Sequence, residues 1–403
     1  MGLASRGHTV QVLTLCDGPR REYLQRFGIP ISVVEPIPQK IAAKLRDAAP
    51  DVIHFHAPGG PHEGDVLGDA LALLPKIPVV QTNIFGRLDN PHEDSWTDFR
   101  LFISWTSCVQ AARRSRRVLD ASFFRRASVA VYPVDPDNGP PGNEVAAFRE
   151  GIGLSNDEIL FGRFSRPEPN KWTDLPIRAF RRAFRSNRRI KLLLREPPQE
   201  VARELDRAKD RAAFVVLPAT ADTGELRRTM AATDVILHTS LMGESFGYGI
   251  AEPMNLGKPV ITNSVPWLDQ AQLELVRHGE CGLVASTVHS MAKAILLLSY
   301  DADARARLGL RGQQHVRSLA DAETSITRVE KALTAASRSK DNPLIEQDIA
   351  DARIAENYLS QEQFGHSLAD QISLRTTLTA LNVRRWASSI RREWLGRRNH
   401  SQE

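Results

Sequence analysis

The chain runs to 403 residues, 42% of them hydrophobic, so it is long enough for two or three domains with real cores, and a disordered class is excluded. Its 53 basic and 48 acidic residues leave a net charge of +5, a mild excess for this length that invites an anionic partner but not nucleic acid. No apolar run approaches the ~18 residues of a membrane span, the first eight residues lack the apolar core of a secretory signal, and Cys16, Cys108 and Cys281 stand singly. A disulfide framework and a zinc ribbon are thereby excluded, and a reducing cytoplasm fits best.

In chain order, short β-branched runs at 10–15, 31–34, 51–55 and 78–82 are separated by helical stretches such as 39–48. That alternation belongs to a doubly wound parallel sheet, whose ligands bind beyond the carboxyl ends of the strands. The third run closes in Asp51-Val-Ile-His-Phe-His-Ala-Pro58, with His54 and His56 at i and i+2 on one face of the strand end. The residues leave three readings open: a metal site completed by His62, a hydrogen-bonded pair, or one histidine facing a cleft. No carboxylate or cysteine at suitable spacing completes a ligand set, so no metal is expected. Further on, Arg113, Arg114, Arg116, Arg117, Arg125 and Arg126 surround Phe123 and Phe124. A solvated basic face and a contact with anionic lipid or acceptor are the two readings.

The stretch Tyr132-Pro-Val-Asp-Pro-Asp-Asn-Gly-Pro-Pro-Gly142 is dense in turn formers and reads as a linker, with Asp135 and Asp137 in a turn. A second alternating series follows: strands at 159–164, 190–194, 214–217 and 234–239, with helices at 172–184 and 224–232. Two Rossmann-like units facing a cleft are expected, over 1–135 and 136–340, followed by a helical, basic tail over 341–403. The segment from Phe161 to Trp172 joins a strand to a helix and sets Arg163, Arg166 and Lys171 on the cleft side.

The densest chemistry lies in Thr239-Ser-Leu-Met-Gly-Glu-Ser-Phe-Gly-Tyr-Gly-Ile-Ala-Glu-Pro-Met-Asn-Leu-Gly-Lys-Pro-Val260. A strand precedes it, a short helix over 248–256 stops at Gly257, and a new strand starts at Pro259. Gly247 and Gly249 therefore lie where a strand hands over to a helix N-terminus, whose unpartnered N–H groups suit a phosphate. Along one unbroken helix Glu244 and Glu252 would diverge by about 80° at ~100° per residue. A turn followed by a helix can aim both into one cleft, where two ionised acceptors suit the hydroxyls of a sugar and a ribose.

The order Glu-Ser-Phe-Gly-Tyr-Gly-Ile-Ala-Glu-Pro closely resembles the nucleotide-sugar signature of the retaining glycosyltransferases of family 4, the group 1 glycosyl transferases, which have the GT-B fold. The resemblance runs from about Leu3 to Leu333 and is most specific over 224–284. It implies an α/β fold of two Rossmann-like domains, Glu244 toward the donor sugar and Glu252 on the nucleotide ribose. By the same resemblance Arg163 and Lys171 bind the donor diphosphate together with Phe246 and Gly247, and His56 faces the reacting sugar. Trp172 departs from the family's usual glycine, the Arg163 to Lys171 spacing is longer than usual, and Arg166 in the extra segment is a second candidate cation.

The activity that the resemblance implies is that of a metal-independent, hexosyltransferase-type enzyme. Such an enzyme moves a sugar with retention from a nucleotide sugar, a co-substrate and not a cofactor, to a glycan, lipid or small-molecule acceptor. An inactive GT-B scaffold and a nucleotide-sugar epimerase are the alternatives. The resemblance also implies a first strand and glycine-rich loop ahead of Leu3, and a helix over part of 345–358 returning to the first domain. Trp386, Ile390 and Trp394 recur at i, i+4 and i+8 among arginines, a pattern that can lie on the inner membrane face or dock on the protein itself.

Overall fold

The computed structural model describes residues 1–18, 20–57, 65–88, 91–168, 171–265 and 268–365, so His62 and the 383–398 stretch lie outside the described residues. The β-branched runs of the first half become β1 (Val12–Thr14), β2 (Ile31–Val33), β3 (Ile53–Ala57) and β4 (Val79–Asn83). Two further strands, β5 (Phe99–Phe102) and β6 (Ala127–Val129), complete a four-stranded parallel sheet in the order β3-β4-β5-β6. Strands β1 and β2 form a separate parallel pair. Leu13 on β1 and Ile53 on β3 both pack on a cluster of Ile41, Ala42, Leu45 and Ala70, so the pair and the sheet share a helical cover.

In the second half β7 (Ile159–Phe164), β8 (Ile190–Arg195), β9 (Phe214–Leu217), β10 (Val235–Leu237), β12 (Val260–Thr262) and β14 (Leu283–Val284) form one parallel sheet, in the order β14-β12-β10-β7-β8-β9. A two-rung ladder of β11 (Gly243–Glu244) and β13 (Asp269–Gln270) stands beside it. Phe161, Leu192, Leu194, Val235, Leu237 and Ile261 pack in one wholly buried cluster, the near-continuous apolar character that parallel sheets require on both faces. The helix expected from 172 starts instead at Leu175 (Leu175–Phe184), where Pro176 takes a first-turn position at which its missing N–H costs nothing.

Strand order reverses between β7 and β10. From β7 the chain moves outward to β8 and β9, and then returns to β10 on the other side. Loops leaving the carboxyl ends of these two neighbours open the crevice in which ligands of doubly wound sheets bind.

The chain passes between the two units at Val134 and again at Ala320, and the two crossings are bonded to each other, Val134 N–H to the Ala320 carbonyl at 2.9 Å. Beyond the second, the Ala322–Ser337 helix lays Ala332, Ala335 and Ala336 on Val80, Phe99, Leu101 and Ala130 of the first sheet. Small side chains allow that close approach, so packing groups 322–337 with the first unit although the sequence pattern puts the boundary at 340. The last described helix, Ile345–Gly365, also returns to the first unit and covers the Trp105–Arg114 helix and β6.

The return is fastened at Asp348, which is fully buried. Arg328 reaches it at 2.6 Å and the Asn342 amide at 2.8 Å, and the same Arg328 lies over the Trp105 ring at 5.4 Å. Replacing Asp348 with Leu takes the nearest partner from a mostly buried guanidinium, leaving it Asp351 at 3.1 Å and the Val129 carbonyl at 3.3 Å. A loss of about 3 kcal/mol in unfolding free energy is expected by urea denaturation; a loss below about 1 kcal/mol would show that this pair does not fasten the helix.

Candidate functional site

The two loops at the reversal point meet through side chains. Lys171, from the loop after β7, places Nζ 2.7 Å from Glu244 Oε2, in the turn after β10. Glu244 is only 8% exposed, and its other oxygen, Oε1, lies 3.1 Å from Nε2 of His238, the residue that follows β10. Its backbone is held as well, for its N–H donates to Gln272 Oε1 at 3.0 Å and it pairs with Gln270 in the two-rung ladder.

Glycine is needed at both ends of this turn. Gly243 has φ 70°, and a Cβ there would sit 1.7 Å from the Asp269 carbonyl oxygen. Gly247 has φ 101° and caps the Tyr248–Asn255 helix.

A carboxylate this enclosed is costly unless its charge is matched. Burial by itself would raise the Glu244 pKa, but the His238 hydrogen bond and the Lys171 cation outweigh it and hold the group well below its ordinary 4.5. His238 shifts downward because burial opposes its charged form, more strongly than Glu244 favours it. The ring is therefore neutral and donates through Nε2–H to the ionised carboxylate, while His238 Nδ1 has no hydrogen-bond partner among the described residues.

Arg163, expected beside the diphosphate, is instead wholly enclosed. It donates to the Lys171 carbonyl at 2.6 Å, the Thr239 carbonyl at 2.8 Å and Thr239 Oγ1 at 3.0 Å, and its guanidinium lies 4.4 Å from the centre of the Trp172 ring. Burial lowers it from 12.5 to about 9 against the pull of Glu244, so it stays charged at neutral pH. Its place is under the Lys171 loop, clamping that loop to the end of β10. The Trp172 substitution has its reason here, since the indole stacks on Arg163 and its Nε1–H donates to the Arg166 carbonyl at 2.8 Å. Arg166 points to solvent beside Glu168.

Glu252 lies one turn into the Tyr248–Asn255 helix, exposed and with no side-chain hydrogen-bond or ion-pair partner among the described residues, and the surrounding protein raises its pKa. Phe246 is buried against Tyr132 and Tyr248, so only its backbone can serve a ligand. His56 is the penultimate residue of β3 on the first sheet, with its ring 4.4 Å from that of His54, which in turn meets Thr82 Oγ1 at 2.7 Å. Burial and then His56 push His54 down to about 3, and burial lowers His56 as well, so both rings are neutral at pH 7. No hydrogen bond or ion pair joins His56 to the Glu244 group among the described residues.

The Trp105–Arg114 helix brings the first unit to the same turn. Its capping residue Ser104 accepts from the Ser107 amide, Thr106 N–H donates to Glu274 Oε2 at 3.0 Å, and Ser107 Oγ donates to the Ser245 carbonyl at 3.3 Å. Arg114 meets Asp269 at 3.2 Å, which also accepts from Ser245 Oγ at 3.0 Å. Much of the arginine run is likewise tied down: Arg113 to Glu356, Arg117 to Asp94 and Arg126 to the Lys340 carbonyl. Asp137 pairs with Arg227 and accepts from Gly139 N–H, the turn expected of the linker. Among the described residues no group of three His, Cys, Asp or Glu is arranged for a metal ion, and no helix is long and apolar enough to cross a membrane.

Comparison with known proteins agrees with this architecture. Residues 157–301, which hold all six strands of the second sheet and the whole Glu244 turn, match the family model described as glycosyl transferases group 1. HepE of Anabaena, crystallised with UDP and glucose, superposes with a TM-score of 0.65 at 20% identity, over 81% of this chain and 91% of its own. A glycosyltransferase of Rickettsia africae gives 0.68 at 13% identity over 83% and 92%, and the sucrose-phosphate synthase of Thermosynechococcus elongatus 0.64 at 17% over 84% and 92%. No curated protein matches the chain. At these identities the likeness establishes the fold, which is GT-B, and the family match bears out the resemblance read from the turn.

The charge argument has a direct check. Because the folded-state pKa of Glu244 is depressed, its ionisation stabilises the fold fully above 4.5, and that stability is lost as pH falls below 4.5 toward the folded value. Glu244→Gln should therefore lower unfolding free energy by about 3 kcal/mol at pH 7. The gap to the wild type should narrow steadily in denaturation series taken below pH 4.5; a gap independent of pH would contradict an ionised Glu244.

Proposed function

We propose that this chain, whose residues 157–301 match the group 1 glycosyl transferase model, transfers a hexosyl residue from a nucleotide-diphosphate sugar to a hydroxyl-bearing glycan, lipid or small-molecule acceptor. One observation carries the reading: Lys171 and Glu244, 73 positions apart in sequence, meet at 2.7 Å where strand order reverses. A cation for a diphosphate and a carboxylate for sugar hydroxyls thus share the crevice where doubly wound sheets bind ligands. The complexes of HepE with UDP and UDP-glucose support uridine nucleotides as the first donors to test.

In this reading the diphosphate lies between Lys171 and the first N–H groups of the Tyr248–Asn255 helix, with Phe246 and Gly247 contributing backbone. Glu252, exposed and unpartnered, accepts from the ribose hydroxyls, and Glu244 accepts from the donor sugar. Arg163 contributes by holding Lys171 in place. His56 faces the reacting sugar from the first unit. The acceptor oxygen attacks the anomeric carbon on the face from which the diphosphate departs, and configuration is retained. The carbon to phosphate-oxygen bond breaks, and the acceptor proton passes to an oxygen of the departing diphosphate. Charge grows on that group in the transition state, where the fixed Lys171 cation stabilises it more than in the ground state, so no metal is required.

Calorimetric titration with UDP, GDP and ADP should find one of them bound, and Glu252→Gln should weaken it about tenfold. Failure of all three to bind would remove the enzyme reading and leave a GT-B scaffold. Lys171→Ala should lower kcat/KM by a factor of about a hundred or more, and chelation with EDTA should leave the wild-type rate unchanged. Product nucleotide should appear only when an acceptor is present, whereas an epimerase would interconvert sugars without releasing it.

A further inference from the structure

Glu244 has two side-chain partners, and the donor would compete for one of them. A diphosphate that engages Lys171 draws its ammonium away from a carboxylate that is only 8% exposed. The donor then left to Glu244 is Nε2–H of His238, 3.1 Å from Oε1.

Every element around that imidazole fixes it. Its backbone N–H is bonded to the Ile261 carbonyl of the neighbouring β12 at 2.9 Å, so the residue cannot shift along the strand. The ring is 4% exposed and lies against Gly249, where a Cβ would come within 3.5 Å of Nδ1 and 3.0 Å of the Phe164 carbonyl. The titratable groups facing it are Glu244, Arg163 and Lys171, one acceptor and two cations. A second ring proton would have to sit on Nδ1, which is enclosed and meets no acceptor among the described residues.

Resting on the donor reading above, we infer that His238 is a positioning residue: as a neutral Nε2–H tautomer it keeps the Glu244 carboxylate aimed at the donor sugar once the diphosphate has taken Lys171. A neutral donor suits this task. It orients the anion without neutralising it, so Glu244 remains an acceptor for sugar hydroxyls whether Lys171 is turned toward it or toward phosphate. The contribution therefore belongs to recognition of the sugar and not to the grip on the nucleotide.

The separating measurement compares a nucleotide with its glucose conjugate by calorimetry, for UDP and UDP-glucose first and the GDP and ADP pairs next. His238→Leu, which keeps bulk and removes the donor, should weaken the sugar nucleotide by about tenfold to a hundredfold and leave the nucleotide within about twofold. His238→Gln, whose amide can reach the Nε2 position, should recover most of the loss. Equal weakening of both ligands, or no weakening of the sugar nucleotide, overturns the inference. A second readout needs no ligand: the ring 15N shifts of His238, assigned by their absence in His238→Gln, should report a neutral Nε2–H tautomer at pH 7 and above. An Nδ1–H tautomer or an imidazolium in that range overturns the inference. Should the wild type bind none of the six ligands, the donor reading fails while the ring spectrum still decides the state of His238.

Discussion

The site is organised by the requirement that one buried carboxylate be matched. Glu244 can stay ionised inside the protein only if a cation and hydrogen-bond donors surround it, because an unmatched charge in that enclosure would cost several kcal/mol. Lys171 supplies the cation from beyond β7, His238 a donor from beyond β10, and Gln272 a backbone anchor from the segment after β13. Three chain segments that are distant in sequence are thereby locked together. Arg163 extends the lock one layer deeper, joining the Lys171 and Thr239 carbonyls beneath the loop that Trp172 closes. An arginine so enclosed holds in place the loop that carries Lys171.

The same turn is where the two units touch. The capped start of the Trp105–Arg114 helix presents Thr106 to Glu274 and Ser107 to the Ser245 carbonyl, next to Glu244 in sequence. The chain crosses between units at Val134 and Ala320, two points bonded to each other, so rotation of one unit on the other would pivot there. The linker beyond the pivot belongs to the second unit, held by Asp137 to Arg227 and by the Asp135 carbonyl to Asn255. The return helices belong to the first, through Ala332, Ala335 and Ala336 on the sheet and Asp348 on Arg328. Geometry at the Glu244 turn is thus sensitive to anything that shifts the Trp105–Arg114 helix, which itself rests under the Ile345–Gly365 helix.

Several features were legible without coordinates because they depend on local patterns. The strands at Ile159–Phe164 and Phe214–Leu217 read directly, since buried parallel strands are runs of apolar residues between turn formers. The Glu244 to Glu252 turn was legible as a glycine-rich strand-to-helix junction, and its order of residues carried the family resemblance. By contrast β5 and β6, four and three residues long, are too short to carry a period, and the Ala322–Ser337 helix gives no sign in its sequence of which sheet its alanine face will cover. His238 was read only as the end of a strand: nothing in a sequence says that the sixth residue before a glutamate will fold back beneath it. Arg163 was legible as a cation near the site but not as an enclosed one, because enclosure depends on Trp172 and Thr239 arriving from either side.

By itself, then, the sequence determined the alternation of an α/β fold and the position of the glycine turn, both set by spacing along one segment, while the nucleotide sugar entered through the family resemblance that the turn carries. Tertiary structure alone decided that Lys171 rather than Arg163 faces Glu244, that His238 completes the carboxylate's shell, and that the Ala322–Ser337 helix lies on the first sheet. The physical reason is common to all of these. Charge matching and burial are properties of side chains brought together from distant segments, and 73 residues separate the two that form the central pair.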